Sequence, residues 1–155
     1  MKKYISVIGA GDYSETTAAA AEVVGSLIAQ AGAVLVCGGM GGVMEAACRG
    51  ARKSGGVTLG ILPGLDRSEG NSELEYSLCT GIGHARNLAV AASGDAVIAI
   101  GGEFGTLSEI ALARKSCRPV VLLGSWEISK DGDLPDGIST AASPEEAVKL
   151  ALASI

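Results

Sequence analysis

Apolar residues fall along this chain in short, nearly unbroken runs, separated by stretches in which they recur every three to four positions. The runs Tyr4–Ile8, Val34–Cys37, Val57–Leu62, Ala96–Ile100 and Val120–Leu123 have the length and β-branched content of strands. Continuous rather than alternating runs predict strands covered on both faces, as in a parallel sheet. Val23, Val24, Leu27, Ile28 and Ala31 recur at helical spacing and predict one buried stripe on a helix capped by Ser14 and stopped at Gly32. Further helices are predicted from about Val43 to Lys53, from roughly His84 to Ser93, and from Gly105 to about Lys115. Ser143-Pro144-Glu145-Glu146 opens a last helix with an N-cap, a proline in the first turn and a capping-box glutamate. Tyr76–Cys79 is expected as a short edge strand, and Asp66 to Glu75 as a surface loop. The alternation predicts one α/β domain over residues 1–155, Rossmann-like and doubly wound, with a mainly parallel sheet and helices on both faces.

Composition narrows the function classes. Twelve basic against seventeen acidic residues leave a formal charge of −5, and aromatics make up 3% of the chain. A nucleic-acid partner is not expected, because neither the basic footprint nor the stacking platform is present. The apolar region Ala18 to Val36 contains Glu22, Gln30 and Gly32, so no membrane span is expected. Cys37, Cys48, Cys79 and Cys117 form no Cys-x-x-Cys pair and are expected as buried thiols in a reducing, cytoplasmic compartment. His84 is the single histidine, so no metal site is expected.

The 23 glycines are the strongest deviation, and many stand just after the predicted strands. In an open parallel sheet those turns share one edge, where ligands bind. Gly9-Ala10-Gly11-Asp12 has Ser14 where a dinucleotide fingerprint needs its third glycine, so an ordinary NAD site is not supported. Gly101-Gly102-Glu103-Phe104-Gly105-Thr106-Leu107-Ser108-Glu109 carries more information. Thr106 and Glu109 have capping-box spacing, a structural role. The same first turn could instead offer free N–H groups, the Thr106 hydroxyl and the positive end of the helix dipole to a phosphate, with Glu109 in the cleft. Spacing alone leaves both readings open.

Gly38-Gly39-Met40-Gly41-Gly42-Val43-Met44 resembles the Gly-Gly-x-x-Gly-Leu-Met turn of the LOG ("lonely guy", or SLOG) superfamily. Gly102 to Glu109 resembles its Pro-Gly-Gly-x-Gly-Thr-x-x-Glu signature, and His84-Ala85-Arg86-Asn87 its Arg-Lys helix. That superfamily includes phosphoribohydrolases once taken for lysine decarboxylases, a DNA-processing branch related to DprA and Smf, and molybdenum cofactor carrier proteins. For a hydrolase the resemblance implies Glu109 and Arg86 as the catalytic pair, acting on the N-glycosidic bond of a nucleoside 5′-monophosphate. This chain departs from the pattern at Gly101 in place of proline, Glu103 in place of the second glycine and Asn87 in place of lysine. Those departures count against hydrolysis, and the compact length resembles the carrier branch. The implied function is therefore binding of a phosphate-bearing nucleotide-like or pterin ligand, with the molybdenum cofactor (molybdopterin) as the carried molecule. The expected ligand contacts are Gly9, Gly11 and Asp12; Gly38, Gly39, Gly41, Gly42 and Met44; Arg86; and Gly101, Gly102, Phe104, Gly105, Thr106 and Glu109. A homodimer or homotetramer is implied as well.

Overall fold

The computed structural model describes residues 1–155. Seven strands form a single sheet: β1 (Tyr4–Gly9), β2 (Val34–Cys37), β3 (Val57–Leu62), β4 (Tyr76–Cys79), β5 (Ala96–Ile100), β6 (Val120–Leu123) and β7 (Ile138–Ala141). Their order is β4-β3-β2-β1-β5-β6-β7, and every adjacent pair is parallel. The helices are α1 (Glu15–Gln30), α2 (Val43–Lys53), α3 (Asn87–Ser93), α4 (Phe104–Lys115) and α5 (Pro144–Ala153). No helix is long and apolar enough to cross a membrane.

The unbroken apolar runs have the expected cause. Ile98 and Ile100 of β5 pack with α1, α2 and α5 on one face of the sheet. Val97 and Ala99 pack with α3 and α4 on the other. A strand with both faces covered takes a polar side chain only where it is hydrogen-bonded, as Ser6 of β1 and Thr58 of β3 are, their hydroxyls donating to the Val90 carbonyl at 2.6 Å and the Glu73 carbonyl at 2.8 Å. β7 was not foreseen: Ile-Ser-Thr-Ala lies at the sheet edge, is only half-buried, and so lacks an apolar run.

The predicted stripe on α1 is corrected. Its buried residues are Ala21, Val24, Gly25 and Ile28, while Val23 is 39% exposed and Ala31 also faces solvent. The helix is turned because Gly25 packs on the backbone of α2. A Cβ there would fall on the Ala47 carbonyl, and one at Gly50 on the Glu22 carbonyl. Hydrophobic periodicity cannot register a contact made by a residue without a side chain. The expectation of four buried thiols is also corrected. Cys37 and Cys48 are buried, but Cys79 lies on the open edge strand and Cys117 in the turn after α4, and both are exposed.

Candidate functional site

Chain order reverses direction across the sheet at β1, with β2, β3 and β4 on one side and β5, β6 and β7 on the other. The loops leaving β1 and β5 therefore diverge, and a crevice opens at the carboxyl ends of those strands. A cleft of about 230 Å³ occupies this point. Gly9, Ala10, Gly11 and Asp12 form one wall, and Met44 of α2 contributes to the floor. His84, Arg86 and Asn87 form a second wall; Glu103, Gly105, Thr106 and Glu109, at the start of α4, form the third.

Glycine shapes the cleft mostly from behind. Gly42 has φ +69°, and a Cβ on it would strike the carbonyls of Ala10 and Gly11. The Val43 N–H donates to the Ala10 carbonyl at 3.1 Å, docking the start of α2 on the β1–α1 loop. Gly38 leaves room for Arg86, since a Cβ there would lie 2.7 Å from both terminal guanidinium nitrogens. The Gly39 carbonyl accepts from the Asn71 backbone N–H at 2.9 Å, and the Gly39 N–H donates to Cys37 Sγ at 3.3 Å. A Cβ at Gly41 would meet only Glu45 Oε2, at 3.9 Å. Gly38, Gly39, Gly41 and Gly42 are thus outside the cleft lining. So are Gly101 and Gly102, which border a separate crevice with Trp126. Phe104 is 79% exposed and packs its ring 5.5 Å from that of Trp126. Among the expected contacts, Gly9, Gly11, Asp12, Met44, Arg86, Gly105, Thr106 and Glu109 do line the cleft. Ala10, His84, Asn87 and Glu103 line it too, outside the expected set of contacts. Asn87 had no signal in the sequence, because the need for an acceptor beside Arg86 arises only once Arg86 is buried.

The capping box of Thr106 and Glu109 does not form. α4 begins at Phe104 with Glu103 as N-cap, and no side chain bonds to its first amides. Thr106 is already the third helical residue and Glu109 lies one turn further on. The first backbone bond of the helix is from the Leu107 N–H to the Glu103 carbonyl at 3.0 Å. The N–H groups of Phe104, Gly105 and Thr106 therefore have no protein acceptor, the arrangement in which a helix start attracts anions.

The predicted helix from His84 is also corrected: Gly83–Arg86 is a 3-10 turn, and α3 starts at Asn87. This tight turn drives Arg86 into the protein, where it is only 8% exposed. Its Nη1 donates to Asn87 Oδ1 at 2.7 Å and lies 3.7 Å from Glu109 Oε1. Its Nε is the one buried side-chain N or O atom in the chain without a hydrogen-bond partner. Such orphaned groups in native structures call for an explanation, and a ligand acceptor is one. Burial lowers the Arg86 pKa from its ordinary value, with Glu109 opposing, yet a guanidinium remains charged. Burial also pushes the Glu109 carboxyl up to about 7, and the attraction of Arg86 only partly offsets this.

That shift has a direct consequence for stability. A carboxyl whose pKa is raised by folding costs nothing at low pH, where both states are protonated. Stability is lost as pH rises from the ordinary value of 4.5 to about 7, and the penalty is constant above that. The shift corresponds to about 3 kcal/mol. Glu109→Gln is therefore expected to raise the thermal midpoint at pH 8 by roughly 5–10 °C. At pH 4 the two proteins should melt together. Equal midpoints at pH 8 would show that Glu109 ionises without penalty.

The model of the SLOG cluster4 family matches residues 2–148. An uncharacterised protein of Archaeoglobus fulgidus is 42% identical over 150 residues, covering 97% of this chain and 95% of its own. The solved molybdenum cofactor binding protein of the phototrophic bacterium Rippkaea orientalis superposes with a TM-score of 0.89 at 37% identity, covering 99% of this chain and 97% of that one. The molybdenum cofactor carrier protein of Chlamydomonas reinhardtii does so with a TM-score of 0.86 at 34% identity, covering 99% and 98%. DNA processing protein A of Streptococcus pneumoniae shares the fold at 20% identity and a TM-score of 0.72, covering 96% of this chain and 61% of its own.

Proposed function

The chain belongs to the SLOG cluster4 family, and from that premise we propose that it binds and carries a phosphate-bearing pterin of the molybdenum cofactor class. The observation that carries this reading is the meeting, in one cleft, of the unpaired first-turn amides of α4 with the buried Arg86 and its unsatisfied Nε. The amides and the Thr106 hydroxyl would donate to the phosphate, and Arg86 would supply the balancing charge. A volume of about 230 Å³ is below the ~300–1,000 Å³ of pockets that enclose a whole drug-sized ligand. The ring system would therefore extend past the mouth, along Gly9–Asp12 and Met44. Glu103 stands at the rim but is exposed, so solvent screens its repulsion. The likeness to solved molybdenum cofactor binding and carrier proteins, at 37% and 34% identity over nearly the whole chain, supports the pterin. Exposed Leu65, Tyr76, Leu78 and Ile82, around the open edge strand, are apolar surface that a homodimer or homotetramer would cover. Four free cysteines suit a reducing cytoplasm.

Gly105→Asp tests the phosphate seat. A Cβ at Gly105 meets nothing within 4 Å, and an acidic residue in a first helical turn favours the helix. The unliganded variant should thus melt at or above the wild-type temperature. Its carboxylate would occupy the amides, so the thermal shift given by phosphorylated pterins should vanish. A full shift in the folded variant would remove the phosphate from α4.

A second reading, hydrolysis of a nucleoside 5′-monophosphate to base and ribose phosphate, is favoured by one observation. Glu109 and Arg86 share the cleft, and a carboxyl poised near 7 suits acid–base work. Incubation with AMP separates the two readings. The carrier reading expects intact AMP; free adenine that disappears with Glu109→Ala would replace it with the enzyme.

A further inference from the structure

Arg86 is the one arginine or lysine that lines the cleft, and the carboxylate beside it is Glu109, with Nη1 3.7 Å from Oε1. Both side chains are about nine-tenths buried. An oxyanion that enters must either compete with this carboxylate for the guanidinium or meet it already neutral. Two anions on one buried cation repel across a few ångströms of poorly polarisable protein. The neutral acid removes that repulsion, releases Arg86 and adds an O–H donor to the cleft. Arg86 itself cannot withdraw to relieve the conflict. It is held by Asn87 Oδ1 at 2.7 Å and fitted against Gly38.

We infer that the cleft takes up one proton with each anion it binds, and that Glu109 holds this proton. The inference rests on the oxyanion reading of the cleft and adds a linkage to it. Burial already brings Glu109 to the edge of protonation near neutrality, and a second negative charge beside it pushes in the same direction. The remaining groups around the pair do not substitute for it. Cys37, at the end of β2, is fully buried and engaged with Cys48 and the Gly39 N–H. Asp12 on the β1–α1 loop and Glu103 at the start of α4 are exposed to solvent. His84, on the 3-10 turn, also lines the cleft and must be separated experimentally.

Sulfate is the suitable probe, because it does not itself titrate near neutral pH. Calorimetric titration of the protein with sulfate at pH 8, in two buffers of different ionisation heat, should show close to one proton taken up per sulfate. The Kd should rise toward tenfold per pH unit above about 7. Glu109→Gln should bind sulfate with a flat Kd and no proton uptake, whereas His84→Asn should retain the uptake. A wild-type Kd that is flat with pH and carries no proton overturns the inference and leaves the anion cleft standing. Uptake lost in His84→Asn and kept in Glu109→Gln overturns it too. Absence of sulfate binding at every pH overturns both the linkage and the oxyanion reading beneath it.

Discussion

Arg86→Met is expected to weaken binding of sulfate or a phosphorylated pterin about 100-fold, or about 3 kcal/mol, while the protein stays folded. The size of the effect follows from its isolation: no other arginine or lysine lines the cleft, so no neighbour can supply the lost charge. The fold survives because the substitution also removes a problem. The Arg86 guanidinium is desolvated, leaves one nitrogen unsatisfied and lies beside a carboxyl that burial already drives toward its neutral form. Methionine fills a similar volume without those demands, and replacing a buried ionic group by a packed apolar one is often neutral or stabilising. With Arg86 gone, Glu109 loses the attraction that lowers its pKa and stays protonated to higher pH. The measurement is a pair of titrations, of ligand by calorimetry and of denaturant by circular dichroism. Unchanged affinity in a folded Arg86→Met protein would mean that the anion does not use the guanidinium.

Gly50→Ala should have the largest effect on stability, a loss of about 4 kcal/mol or failure to fold. The added methyl would be driven into the carbonyl of Glu22, and the backbone of α1 cannot step aside without unpacking the face shared with α2. Core overpacking ordinarily costs ~1–3 kcal/mol because side chains can shift. Here the obstacle is main chain on both sides, and Gly25 is pressed against the Ala47 carbonyl in the same seam. The ion pairs of Glu22 with Arg49 at 3.0 Å and Lys53 at 2.7 Å cross this interface but are about one-third or more exposed, and could not make up the loss. Gly105→Ala supplies the contrast, since it has open space and a helical position where alanine is preferred. It should gain ~0.5–1 kcal/mol. Chemical denaturation of the two variants side by side checks the claim. A Gly50→Ala protein as stable as the wild type would show that the helices can separate freely.

The two glycine substitutions also show where the sequence was readable. Strands β1, β2, β3, β5 and β6 stood out because a doubly covered strand is apolar at nearly every position, and that demand is written in consecutive residues. The same rule hid β7, whose edge position tolerates Ser139 and Thr140. The glycine-rich turns marked the ligand edge of the sheet, but they did not reveal which glycines face the cleft. Gly38 and Gly42 serve by yielding space to Arg86 and to the β1–α1 loop, residues tens of positions away or more in the chain. Thr106 and Glu109 had the spacing of a capping box, and one fact absent from the spacing overruled it: the helix starts at Phe104.

Local pattern thus determined the α/β class, most of the element boundaries and the edge of the sheet on which a ligand would bind. Each of these depends on hydrophobic and conformational preferences that act over a few neighbouring residues. Tertiary structure decided the chemistry. The pKa of Glu109, the unsatisfied Nε of Arg86 and the helix face that α1 buries are set by how much water is excluded and by which backbone lies opposite. Desolvation and close contact arise only when β1, β5 and the turn before α3 converge, and no window of sequence contains all three.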